Sequence, residues 1–219
     1  MPVKKIAVLI SGSGTNLQAI IDAISQKKVN AEIKIVISNN KDAYGLFRAE
    51  KHGIKNMFLS AKNLTDEEYS EKLLEIFKKE EIDFVVLAGF LKILSKDLVM
   101  QYKNRIINIH PSLIPSFCGK GYYGIKVHEK AIEYGVKVTG ATVHFVDENA
   151  DTGPIIEQRA VDVDDFDTAK SLQQKVLAIE HEILVSSLKK LCDDELEVIG
   201  RRVIKKGGKD EKSIDKRIW

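Results

Sequence analysis

The sequence predicts an α/β protein built on a doubly wound, mostly parallel sheet of the Rossmann-like kind. Three observations carry that reading. Continuous apolar runs, such as residues 5–10 and 83–88, are what strands buried on both faces require. Stretches of helical periodicity alternate with these runs along the chain. A turn with two glycines, Ser11-Gly12-Ser13-Gly14, joins the first apolar run to the first helical stretch and permits a tight, close-approaching backbone.

The elements follow in order. Residues 5–10 form the first strand, and residues 15–26 a helix with Leu17, Ile20, Ile21 and Ile24 at helical spacing. Residues 31–38 are strand-like, and 42–52 a helix closed by Gly53. Thr65 and Glu68 open the next helix as a capping box, and it runs to about residue 80. Strands are expected over 83–88 and 105–110, then a loop with Pro111 and Pro115 and a helix over 125–134. Strands over 138–147 and 155–163 flank the Gly153-Pro154 turn, and a long helix spans 167–191. No internal repeat is visible. The expected organisation is one domain over 1–200 and a basic tail over 201–219, read as a loosely docked, solvated terminus.

Composition narrows the function classes. The 219 residues carry a net charge of only +2, so no global field favours nucleic acid or an anionic membrane. No apolar stretch approaches the roughly 20 residues that a membrane helix needs. No secretory leader is read at the start, so the expected location is cytoplasmic, with Cys118 and Cys192 reduced. Two cysteines without paired spacing do not make a zinc site, and no metal is expected. No local motif puts a base beside Cys118.

The glycine turn opens a helix at about Thr15, whose free N–H groups favour an anion, with Thr15 and Asn16 as further donors. A dinucleotide fingerprint would need a glycine where Leu17 stands and an acid where Ser38-Asn39-Asn40 stand. A P-loop would need Gly-Lys-Ser/Thr, which is absent. The turn therefore suits one phosphate monoester, or is a plain strand-to-helix turn.

Asn108 and His110 stand two apart on a strand, so they face the same way at its carboxyl end, where sheets of this class bind ligands. Pro111 stops the ladder there. Asp151 sits in a turn between two strands, where an Asp most often bonds its own backbone. Of the five histidines, only His110 combines a polar strand neighbour with a forced strand end. His144 shares a strand face with Thr142 and is a supporting candidate. His52 is read as a surface residue, and His128 and His181 as facing solvent or a helix contact.

Taken in order, Ile10-Ser-Gly-Ser-Gly-Thr-Asn-Leu-Gln-Ala19, Ser38-Asn39, Leu87-Ala-Gly-Phe-Leu-Lys-Ile-Leu94, Asn108-Ile-His-Pro-Ser-Leu-Ile-Pro115, Thr142-Val-His-Phe-Val146 and Asp151-Thr-Gly-Pro-Ile155 closely resemble the folate-dependent phosphoribosylglycinamide formyltransferases. The resemblance covers about residues 5–190. It implies a formyl-transfer domain that moves the formyl group of 10-formyltetrahydrofolate to the amine of glycinamide ribonucleotide, in purine synthesis, as a monomer or homodimer. Gly14, Thr15 and Asn16 match the family's phosphate loop, and Glu180 its ribose carboxylate. Leu91, Lys92, Ile93 and Leu94, with Asn108 and the loop beginning at Asp147, match the folate pocket. Asn108, His110 and Asp151 match the catalytic trio: an amide donor for the oxyanion, a protonated histidine that stabilises it and acts as general acid, and a carboxylate that raises the histidine pKa and orders a proton-relaying water.

Three departures stand out. Asp66 replaces the arginine often found near the folate's glutamate tail, which leaves Lys62 or Lys92 to serve there. The segment 118–126 is a few residues longer than in many relatives. Lys92 stands where some relatives have arginine. Formyltetrahydrofolate deformylase uses a similar trio but usually adds an N-terminal domain. Methionyl-tRNA formyltransferase adds a C-terminal one, for which this length leaves no room. A non-catalytic nucleotide-sensing module is the rival from another class.

Overall fold

The computed structural model describes residues 2–207 and contains one sheet of nine strands. In chain order the elements are β1 (Lys4–Ile10), α1 (Thr15–Ser25), β2 (Ala31–Ser38), α2 (Tyr44–Lys51), β3 (Asn56–Phe58), α3 (Asp66–Lys79), β4 (Phe84–Leu87) and α4 (Lys96–Gln101). Then come β5 (Ile106–His110), α5 (Ile125–Tyr134), β6 (Val138–Phe145), β7 (Ile155–Asp162), α6 (Ala169–Cys192), β8 (Leu196–Ile199) and β9 (Arg202–Lys205). The expected elements are present, with ends shifted by a few residues. The short β3, α4 and the β8–β9 pair are additions.

The strand order is β3-β2-β1-β4-β5-β6-β7-β9-β8. The first five strands are parallel, and β6 runs antiparallel to both β5 and β7. Order reverses between β1 and β4, so the loops after these two strands part and leave a crevice at their carboxyl ends. The glycine turn and the 88–94 loop border that crevice.

Alternation along β1 explains the layers. Ile6, Val8 and Ile10 face a core that α1 and α6 fill with Leu17, Ile20, Leu172, Val176 and Leu184. Ala7 and Leu9 face the other side, filled by Tyr69, Leu73 and Phe77 of α3 and Leu98 of α4. The capping box at the head of α3 is present: the Glu68 N–H donates to Thr65 Oγ1 and the Thr65 N–H to Glu68 Oε2.

The boundary expected at 200 falls in the turn between β8 and β9, which pair along their length. Residues 202–205 therefore belong to the sheet as β9, with Val198 and Val203 packed onto the main core. The rest of the expected tail, 208–219, lies outside the described residues.

Candidate active site

The site is assembled on two antiparallel strands. In the β5–β6 register, Asn108 lies opposite His144, and His110 opposite Thr142. Cross-strand partners share a face, so four polar side chains form one patch at the carboxyl end of β5. Thr142 is wholly buried and fastens the segment that follows His110: its hydroxyl donates to Ser112 O at 2.6 Å and accepts from the Ile114 N–H at 3.1 Å. Gln158, opposite Thr142 on β7, donates to the same hydroxyl and to Ile114 O, both at 2.9 Å.

Asp151 reaches this patch from the loop between β6 and β7, with a positive φ of 58°. Its Oδ1 accepts from Asn108 Nδ2 at 3.3 Å and lies 3.6 Å from His144 Nε2. Its Oδ2 accepts from the Gly119 N–H at 2.9 Å and lies 3.5 Å from His110 Nδ1. On the far side of its ring, His110 Nε2 donates to Phe117 O at 2.9 Å. The three residues of the expected trio are thus in mutual reach.

The electrostatics correct one expectation. Burial pushes the His110 pKa below its ordinary value, outweighing the Asp151 charge and the Phe117 carbonyl, which pull it upward. The ring is 4% exposed, so little water remains to solvate a positive charge. His110 therefore rests neutral near pH 7, with its proton on Nε2. Burial also pushes the Asp151 carboxyl upward, but the polar groups around its two oxygens, the Gly119 N–H among them, overcome this and hold it below its ordinary value.

The glycine turn lies at the far side of the crevice. Gly14 caps α1 with φ 70°, no side chain caps that helix, and no acid stands in its first turn, so its N–H groups are available to an anion. A Cβ on Gly14 would lie 2.6 Å from Gly45 Cα, and one on Gly45 would strike Ile10. The turn and the start of α2 touch backbone to backbone. Gly45 N–H donates to Gly12 O at 3.1 Å, and Arg48 Nε to Ser13 O at 2.9 Å. Asn16, on the first turn of α1, donates from Nδ2 to Glu180 Oε2 of α6 at 2.8 Å. Glu180 is buried and its pKa is pushed up, with Asn16 offsetting part of the rise. Asn16 Oδ1 is buried without a partner.

Between the trio and the loop after β4 lies a cavity of 340 Å³, lined by Leu91–Leu94, Asn108, His110, residues 119–124 and residues 146–151. Leu91 and Ile93 are each 59% exposed, an apolar cost that a ligand with a flat apolar face would relieve. Lys92 pairs with Asp66 and lies 5.8 Å from the Tyr69 ring centroid. Asp66 therefore meets a cation instead of facing the cavity alone. Lys120 lines the cavity as a second cation, whereas Lys62 is not among its lining residues. Asp147 lines it too, but its carboxylate accepts from the Thr152 hydroxyl at 2.6 Å and the Asn149 N–H at 3.2 Å, bracing its own loop.

Several contributors were not read from the sequence. Ser11 donates to Asn39 Oδ1 at 2.6 Å and accepts from the Leu91 N–H at 2.9 Å, joining the glycine turn to the loop after β4. Gly45 and Arg48 fasten the turn; the signal was a glycine placed in the first turn of a helix, which has a cost without a packing reason. His128, read as facing solvent or a helix contact, is 1% exposed, because it lies on the buried side of α5 with Val127 and Ala131. Its pKa falls to about 4 through burial, helped by His110. His52 is exposed at the end of α2, as expected. Neither thiol is primed: burial raises Cys118 and pushes Cys192 to about 12. Among the described residues, no group of three or more His, Cys, Asp or Glu side chains could hold a metal ion.

The profile of the family described as Formyl transferase matches residues 4–188. The chain is 40% identical to the chloroplastic phosphoribosylglycinamide formyltransferase of Arabidopsis thaliana, covering 88% of this chain and 67% of that protein. It is 43% identical to the human trifunctional purine biosynthetic protein adenosine-3, covering 84% of this chain but 18% of the relative. Among solved structures it is similar to glycinamide ribonucleotide transformylase 1 from Symbiobacterium toebii, with a TM-score of 0.87 at 38% identity, covering 93% of this chain and 94% of that one.

Proposed function

Because the chain belongs to the formyl transferase family, we propose that it moves the formyl group of 10-formyltetrahydrofolate to the amine of glycinamide ribonucleotide, a step of purine biosynthesis. The observation that carries this reading is the convergence of Asn108, His110 and Asp151 on one wall of a cavity that opens beside an uncapped helix N-terminus. The phosphate of the ribonucleotide binds at Gly14, Thr15 and Asn16, and Glu180 faces its ribose. The folate ring lies against Leu91–Leu94 and Asn108, where exposed apolar side chains and backbone groups meet, with Asp147 holding the opposite loop.

The chemistry follows from the protonation states. The attacking amine must lose a proton as its nitrogen bonds to the formyl carbon. His110 is neutral, and its Nδ1 lone pair lies 3.5 Å from Asp151 Oδ2, a gap between two acceptors that one proton would fill. His110 takes the proton from the amine, Asp151 stabilises the imidazolium, and His110 returns the proton to the departing folate nitrogen. Asn108 donates from Nδ2 to the formyl oxygen as it gains negative charge. No proton is gained or lost overall.

The test is spectrophotometric consumption of 10-formyl-folate with and without glycinamide ribonucleotide. Consumption that requires the ribonucleotide supports the transferase. Release of formate without it would mean a deformylase, and no consumption in either case would overturn the enzymatic reading. A cytoplasmic location fits the two unpaired thiols.

A further inference from the structure

We infer that His144 is a positioning residue that fixes which end of the Asn108 amide faces the reacting oxygen; the inference rests on the transfer reading for what that oxygen is. A primary amide is nearly symmetric in shape. Turned one way, Asn108 offers two N–H donors to a developing oxyanion; turned the other, it offers a carbonyl oxygen that repels it. Something must choose.

The hydrogen-bond inventory shows how the choice is made. His144 Nδ1 lies 2.8 Å from Phe145 O, and a carbonyl oxygen only accepts, so Nδ1 carries the hydrogen. A neutral imidazole has one N–H, so Nε2 is left as a lone pair. That lone pair lies 3.1 Å from Asn108 Nδ2. Reversing the amide would set Oδ1 against the Nε2 lone pair, two acceptors in contact. It would also set Oδ1 against Asp151 Oδ1, which now accepts from Nδ2 at 3.3 Å. The His144 ring is 2% exposed, so water cannot readily replace the lost bond. One Nδ2 hydrogen is held by His144. The other makes the longer, 3.3 Å contact with Asp151, and this weakly held hydrogen is the one the formyl oxygen draws on.

The fold fixes this relation before any ligand arrives. Asn108 and His144 are direct partners across the β5–β6 ladder, so neither can slide without breaking the sheet. The Phe145 carbonyl that sets the tautomer belongs to the next residue on the same strand.

The inference predicts a loss in kcat rather than in KM. His144→Leu keeps an apolar body of similar size and removes the acceptor. It should lower kcat about 10²-fold, as loss of one oxyanion donor does, with both KM values within about threefold. His144→Gln can present Oε1 to Asn108 Nδ2 and should recover most of that loss. In an Asn108→Ala background, His144→Leu should cost less than about threefold more, because its target is gone. Losses that multiply in the double variant, or a rise in KM with kcat spared, would overturn the inference. A measurement independent of turnover and of the transfer reading is the side-chain amide 15N–1H spectrum. The Asn108 pair, identified by its absence in Asn108→Ala, should move toward free-amide positions in His144→Leu and remain displaced in His144→Gln. An unmoved pair in His144→Leu would refute the coupling, even if no substrate turns over.

Discussion

Asp151 gathers Asn108, His110, His144 and the Gly119 N–H onto two oxygens, and each contact alters what the others can do. Its charge is what makes an imidazolium on buried His110 tolerable. Asp151→Asn is expected to lower kcat about 10²-fold or more while leaving ribonucleotide affinity, read by calorimetry, nearly unchanged; an equal loss of affinity would count against the assigned role. His110→Ala is expected to reduce kcat about 10³-fold with an unaltered circular dichroism spectrum. Near-normal turnover would remove His110 from the chemistry. At this scale the sequence was legible where geometry is local. Asn108 and His110 are two apart on a strand, so their shared direction needs no tertiary information. Asp151 alone reads as an ordinary turn residue, and only the fold brings it to His110. The His110 pKa was misjudged because a neighbouring charge is visible in a motif and the extent of burial is not. For the same reason the sequence leaves His128 open between solvent and a helix contact: a lone polar residue on a helix gives no sign that its face turns inward.

Helix α2 shows how an element without any reacting group can shape a site. Its Gly45 lets the glycine turn approach until backbones touch, and Arg48 holds Ser13 O. Gly14→Ala adds a methyl against Gly45 Cα in a left-handed conformation, φ 70°. The expected result is a rise of about tenfold or more in ribonucleotide KM, with folate KM far less affected; initial-rate kinetics in each substrate separates the two. The capping box on α3 supplies a contrast. Thr65→Ala should cost about 1 kcal/mol in denaturant unfolding and leave kcat unchanged, since it touches only the helix end. Long elements were legible because periodicity accumulates over many residues. The three residues of β3, and β8 and β9 with four each, are too short to show a period, and their pairing partners supply what the sequence signal lacks.

At the scale of the whole fold, buried histidines weaken the protein in mild acid. His110, His128 and His181 all have pKa values lowered by burial. Each binds a proton more weakly folded than unfolded, so their contribution is complete above the ordinary value of 6.5. It is lost as pH falls below 6.5, down to about 4 for His128. Thermal midpoints should therefore drop between pH 6.5 and 4, and His128→Leu, which also removes an unpartnered Nδ1, should shrink that drop. An unchanged slope would absolve His128. The doubly wound architecture was legible from alternation alone, but the meeting of the glycine turn and the 88–94 loop at the β1–β4 reversal was not, because strand order is not written in any one segment. At that meeting point a single hydroxyl, that of Ser11, binds both Asn39 and the Leu91 N–H, so the turn proposed for the phosphate and the wall proposed for the folate are not independent. Ordering one lowers the entropy still to be lost by the other. By linkage each substrate then tightens its companion by one common factor, and Ser11→Ala should bring that factor toward one, making the enzyme indifferent to which substrate arrives first.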